Sequence, residues 1–150
     1  MREIKFRSWV ENDNVKDSIY PFMNYRVEFT GGAINDIFAT SGKNPQNPYG
    51  NRITYMQYTG LKDKNGREIY EGDIVMQLSE RTYDSLTGVV KFIDGSYVIE
   101  TADGKNGGYL FDEYLFDELA FNVLIGNIYE NPELLEDGVD HDSLIRWDEI

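Results

Sequence analysis

A chain of 150 residues with 27 acidic side chains against 14 lysines and arginines carries a formal charge of −13. That balance opposes nonspecific attachment to a phosphate backbone, where affinity comes from setting cations against phosphates. There is no cysteine, which excludes disulfide scaffolds and thiolate metal centres, and the length suits one domain that buries a core without covalent staples. The start, Met1-Arg-Glu-Ile-Lys-Phe-Arg7, alternates charge with apolar residues and has no signal-type apolar run. No stretch is long enough to span a bilayer, so the expectation is a soluble cytoplasmic protein. The acidity is uneven, because residues 111–150 hold 12 of the acids and only one of the cations, Arg146. Eleven Tyr and eight Phe with many Val and Ile favour strands.

In chain order, Ile4, Phe6, Lys5 and Arg7 alternate before Trp9, a period of two that predicts a half-buried strand over about residues 2–10. Residues 11–18 are polar and read as a turn. Tyr25, Val27 and Phe29 alternate with Arg26 and Glu28 in a second strand closed by Gly31-Gly32. Residues 39–51, with two Pro, two Gly and three Asn, read as a flexible surface loop. The window Tyr55 to Val75 then holds three turn signals between apolar runs: a tight corner at Gly60, an Asn65-Gly66 turn of type I′, and a corner at Gly72 that leads into a strand from Asp73. Residues 79–87 read as a polar loop. Gly88 to Glu100 reads as a hairpin with Asp94-Gly95 at its tip. Residues 101–108 read as a glycine-rich connection, and the periodicity of residues 109–119 fits both a short amphipathic helix and an irregular edge. Phe121 to Tyr129 is a strand interrupted at Gly126. Asn131-Pro132 opens a short helix through Leu135, with Asn as cap and Pro first in the helix. The acidic extension 136–150 has only Leu144, Ile145 and Trp147 as apolar anchors. Close-spaced strands without a long helical period define a mainly β fold. The rhythm of Gly72-Asp-Ile-Val75, Gly88 to Phe92 and Tyr97 to Ile99 predicts an SH3-like small barrel core over about residues 55–130, with additional strands and a short C-terminal helix.

Three blocks carry a family resemblance: Arg2-Glu-Ile-Lys-Phe-Arg-Ser-Trp9, Met56 to Val75, and Ile125-Gly-Asn-Ile-Tyr-Glu-Asn-Pro-Glu-Leu-Leu135. In that order, across residues 2–135, they resemble the YopX-like proteins of phages and prophages. The resemblance implies a YopX-like β domain over residues 1–135, an SH3-like core, a bacterial host and no established activity, so it brings no catalytic residues. Ser8 and Val10, the 39–51 loop and the tail after Leu135 depart from the family pattern.

The chemistry-bearing residues give little purchase. His141 is the only histidine, so a His-based triad or multi-His metal site is impossible within one chain, and its acidic surroundings predict a solvated ring. Asp63-Lys-Asn65-Gly66 resembles the middle of a calcium loop, but Leu61 and Gly72 occupy the first and last ligand positions, so a turn is expected. Asp112, Glu113, Asp117, Glu118, Glu133, Glu136, Asp137, Asp140 and Asp142 read as a solvated acidic face in preference to a metal site. Tyr55, Tyr58, Tyr70, Tyr97 and Tyr109 are strand tyrosines whose default role is packing, the alternative being a base-stacking face beside Lys62, Lys64 and Arg67.

The reading is a non-catalytic phage or prophage accessory protein that acts through protein contact, as an oligomer or with another protein. Its candidate interaction surface is Leu144, Ile145, Trp147, Tyr58 and Tyr70. No cofactor, metal, nucleic acid or membrane is expected. The rivals are a nucleic-acid-linked role, by single-strand binding or DNA mimicry, and a carboxylate enzyme using a metal.

Overall fold

The structure, a computed structural model, describes residues 3–13, 19–39, 50–79, 85–101, 106–109, 120–136 and 138–145. It is mainly β, built of two antiparallel sheets, and the chain divides into two compact units, Met1–Tyr58 and Thr59–Ile150.

In the first unit, β1 (Phe6–Glu11), β2 (Phe22–Thr30), β3 (Ala33–Asn35) and β4 (Arg52–Lys62) line up in the order β3-β2-β1-β4. Gly31-Gly32 is the tip of the β2–β3 hairpin, with Thr30 opposite Ala33. Register places Val10 between Phe22 and Ile53, and Ser8 between Asn24 and Tyr55. Residues directly opposite share a face, so one face carries an apolar row beside a polar row. The alternation expected for β1 is not what forms. Arg7, Ser8, Trp9 and Val10 are all buried, while Ile4 is exposed. A strand paired on both sides and covered on both faces has no wet side to supply the alternation.

The boundary between units falls inside β4, which runs straight through Gly60 rather than turning there. Gly60 takes a positive φ of 85° within the strand, and the Thr59 hydroxyl accepts the Leu61 N–H while donating to the Ile69 carbonyl at 2.7 Å. The expected corner is therefore an in-strand irregularity stitched by Thr59.

In the second unit β5 (Glu68–Tyr70) follows beside β4, and β6 (Asp73–Ser79), β7 (Ser85–Ile93), β8 (Ser96–Thr101), β9 (Asn106–Tyr109) and β10 (Ala120–Asn127) form a sheet in the order β10-β6-β7-β8-β9. Among the described residues no ladder joins β9 to β10, so this sheet is open and the expected barrel closure is not found. β9 lies where the sequence reads as connection. β6 is buried on both faces. Val75 joins Ile69, Val90 and Ile99 in one cluster, whereas Ile74 packs with Val89 and Leu134, and Met76 with Phe121, Val123 and Ile145. Each fully buried aliphatic of this kind contributes about 1.5–3 kcal/mol. The Asp94-Gly95 tip has φ of 50° and 84°, the two positive values of the expected type I′ turn. At the Gly72 corner the Asp73 carboxylate accepts the Tyr70 N–H, Gly72 donates to the Val90 carbonyl, and its own carbonyl accepts from Ile128.

Pro132–Leu135 is one turn of 3-10 helix, and Asn131 does not cap it. Its side-chain oxygen accepts the Asn127 N–H instead, at 3.2 Å, just past the bulge between Leu124 and Gly126. A second such turn, His141–Leu144, follows. His141 is not simply solvated: its Nε2 lies 2.6 Å from the Leu134 carbonyl. Residues 14–18, 40–49, 80–84, 102–105, 110–119, 137 and 146–150 are outside the described set, and with them fall most of the expected 39–51 loop, the 110–119 segment and Trp147.

Candidate functional site

The site grows from the turn between β4 and β5. Asn65 keeps a negative φ and only Gly66 is left-handed, at 84°, so the two-residue type I′ turn is replaced by a longer one in which Gly66 N–H bonds the Asp63 carbonyl and Asp63 N–H the Arg67 carbonyl. The cause is the Asp63 side chain, which is fully buried. Its Oδ1 accepts the Asn65 and Arg67 backbone N–H groups at 3.0 and 2.8 Å. Its Oδ2 accepts the Arg67 Nε–H and, across to β10, the Leu124 N–H at 2.9 Å. The turn reading of Asp63 thus holds, and the aspartate is its hub.

The turn also seals the outer edge of β10. Lys64 N–H donates to the Asn122 carbonyl, and Arg67 Nη2 donates to the Leu124 carbonyl at 2.6 Å while lying 3.0 Å from Asp63 Oδ2. A strand edge left open invites pairing with another chain, and here the turn occupies those groups. Beside it opens a groove of about 700 Å³ lined by Lys64, Asn65, Arg67, Val123, Leu124, Ile125, Leu144 and Ile145. Among the described residues no acidic one lines it. Lys64 Nζ sits 5.4 Å from the Phe121 ring centroid, and the Arg67 side chain is 51 % exposed. Leu144 stands 46 % exposed, next to the buried Ile145.

Of the residues singled out from sequence, the structure brings Leu144 and Ile145 into this groove. Ile145 is mostly a core residue, packed with Met76, Phe121 and Val123. Tyr58 and Tyr70 are only 4 % and 3 % exposed, so neither ring is presented to a partner. Lys64, Arg67 and the β10 edge were missed as a group, since nothing in the local pattern joins residues 64–67 to 122–125. Among the described residues no cluster of three or more His, Cys, Asp or Glu is placed to hold a metal ion, and no helix is long and apolar enough to cross a membrane.

The first unit has a second polar assembly. Asp36, brought over the sheet just before a 3-10 turn at 37–39, accepts the Asn24 Nδ2 and Phe38 N–H groups at Oδ1 and the Tyr55 hydroxyl at Oδ2, 3.1 Å away. Desolvation of the hydroxyl first, on a residue that is still 36 % exposed, then the hydrogen bond to Asp36 and its negative charge, push the Tyr55 hydroxyl up from 10.0 to about 12. Ser8, between Asn24 and Tyr55 in register, is fully buried and its hydroxyl has no hydrogen-bond partner among the described residues. Every other polar group of the row is satisfied, which makes it a fastening for the 36–39 segment.

Taken together, the ladders define an all-β protein of two antiparallel sheets, with a groove beside β10 lined by two cations and several aliphatic side chains. The family of the YopX protein matches residues 5–136, and the chain belongs to that family. Two solved structures are similar: protein EF1440 from Enterococcus faecalis, at 27 % identity and a TM-score of 0.50, covering 91 % of this chain and 100 % of that one, and protein yopX from Bacillus subtilis, at 19 % identity and a TM-score of 0.51, covering 93 % and 100 %. No curated protein matches the chain.

Proposed function

We propose that this protein is a non-catalytic accessory protein of a phage or prophage, working in the bacterial cytoplasm by binding another protein at the groove beside β10. The phage origin and an SH3-like ancestry for the 55–130 core rest on the family resemblance of the three sequence blocks. The binding role rests on one observation, a groove lined both by the exposed Leu144 and by Lys64 and Arg67. An exposed leucine beside anchored cations is the composition of a contact surface, in which an apolar anchor supplies affinity and charges supply orientation. The net charge of −13 disfavours a nucleic-acid partner and also self-association, which light scattering during gel filtration checks directly.

The test is site-specific photo-crosslinking in the producing cell, with the reactive residue at position 144 or, for comparison, at Asp94 on the β7–β8 tip. A discrete adduct from position 144 that is absent from position 94, and lost on Lys64→Glu, is the expected result. Equal adducts from both positions would remove the groove from the proposal.

A further inference from the structure

We infer that the occupant of this groove is a short acidic peptide segment carrying a large apolar side chain, presented by the partner and bound through its side chains. This rests on the protein-binding reading above and adds the chemistry of the partner. Three observations lead to it.

The first is charge. Among the described residues Lys64 and Arg67 are the only charged ones lining the groove, in a chain whose total is −13. At physiological salt the field of distant acids is screened over about 8 Å, so a ligand in the groove meets Lys64 and the donors of Arg67 that its pairing with Asp63 leaves over. The second is the state of Arg67. Its Nε and Nη2 are fixed by Asp63 and the Leu124 carbonyl, while its Nη1 has no partner among the described residues. A guanidinium held on one side with donors left on the other is pre-ordered for a carboxylate, and little side-chain entropy remains to be lost on binding. The third is the sealed edge of β10. The Asn122 carbonyl and the Leu124 N–H and carbonyl are already bonded to the turn, so a peptide cannot add as a strand there. It must contribute side chains, an acid to the cations and an apolar group to the exposed Leu144. A nucleic-acid strand would satisfy the cations but leave Leu144 against a sugar–phosphate backbone, and its remaining phosphates would face an acidic protein.

The probe is a short fluorescein-labelled peptide of glutamate and leucine, titrated against the full chain at physiological salt, with amide chemical shifts recorded in parallel. The expected result is saturable binding with shifts at Lys64, Asn65 and Leu144, about tenfold or more weaker for Lys64→Glu and for Leu144→Ser, and retained in Lys64→Arg. Both positions are exposed, so unchanged far-ultraviolet circular dichroism confirms that the variants are folded. Three outcomes overturn the inference, and two of them are a glutamine-for-glutamate peptide that binds equally well and an oligothymidylate that displaces the acidic peptide at equal concentration. Absence of peptide binding together with a position-144 adduct in cells would also overturn it, while leaving the groove as a protein-binding site of different chemistry.

Discussion

Asp63 does more for this fold than any other single side chain in its window, because one carboxylate serves both the turn and the strand beyond it. Its two oxygens accept from Asn65, Arg67 and Leu124. Replacing it with alanine leaves backbone donors without acceptors in a closed site, each costing about 1–3 kcal/mol. Asp63→Ala is therefore expected to lower the unfolding free energy by about 3–5 kcal/mol in urea titration, and a loss under about 1 kcal/mol would mean that the turn is held otherwise. Ser8 presents the reverse case. Its hydroxyl is buried without a partner, and such a group costs about 1–3 kcal/mol, so Ser8→Ala should leave stability unchanged or raise it by about 1 kcal/mol. A clear loss would reveal a partner for the hydroxyl, such as a trapped water. Tyr55 links the same row to pH. Its folded pKa of about 12 lies above the ordinary 10.0, so the native state holds the proton more tightly than the unfolded chain. The associated stability is complete below pH 10 and declines as pH rises from 10.0 towards 12. The wild-type urea midpoint should fall more steeply across that window than the midpoint of Tyr55→Phe, and parallel curves would show that Tyr55 does not carry the effect.

At the scale of elements, what was legible in the sequence is what local backbone chemistry decides. Asp94-Gly95 gave its turn type correctly, because a two-residue connection between Ile93 and Ser96 leaves the turn to the backbone preferences of those two residues. Asn65-Gly66 marked a turn at the right place but not its type, since the carboxylate of Asp63 draws the Asn65 and Arg67 amides into a longer loop. The difference is measurable. In the observed turn only Gly66 needs a positive φ, so Gly66→Ala should cost about 1–2 kcal/mol for left-handed strain, whereas Asn65→Ala should cost about 0.5 kcal/mol or less. Comparable losses at both positions would restore the type I′ geometry. The burial of Arg7 and the strand β9 were illegible for a related reason, as both depend on neighbours far along the chain. Arg7 is accommodated by its Nε–H to the Met56 sulfur and by the Tyr25 ring, 5.9 Å from its guanidinium carbon. β9 exists through its ladder with β8. The groove shares that origin, being assembled from residues 64–67, 123–125 and 144–145, whose only sequence-level signal was the apolar pair Leu144-Ile145 in an acidic stretch.

Across the whole molecule the remaining question is whether the acidic extension belongs to the fold. Residues beyond 136 lie outside the span matched to the YopX family, and 111–150 hold 12 acids against one cation, so like charge works against their packing. Ile145 nevertheless sits 7 % exposed in one cluster with Met76, Phe121 and Val123, and His141 bonds the Leu134 carbonyl seven residues back. If burial outweighs repulsion, the extension is integral to the second unit and the groove wall is rigid. Ile145→Ala then removes a buried aliphatic group and leaves a cavity under β6 and β10, at a cost of about 2–4 kcal/mol, while Leu144→Ala, at an exposed position, costs less than about 1 kcal/mol. Added salt should raise the stability of the wild type by screening the acids and should leave the difference between the two variants nearly unchanged, because that difference is apolar. Equal, small effects of both substitutions would mean that the extension is only laid against the sheet, and that Leu144 offers a partner a loose anchor in place of a fixed wall.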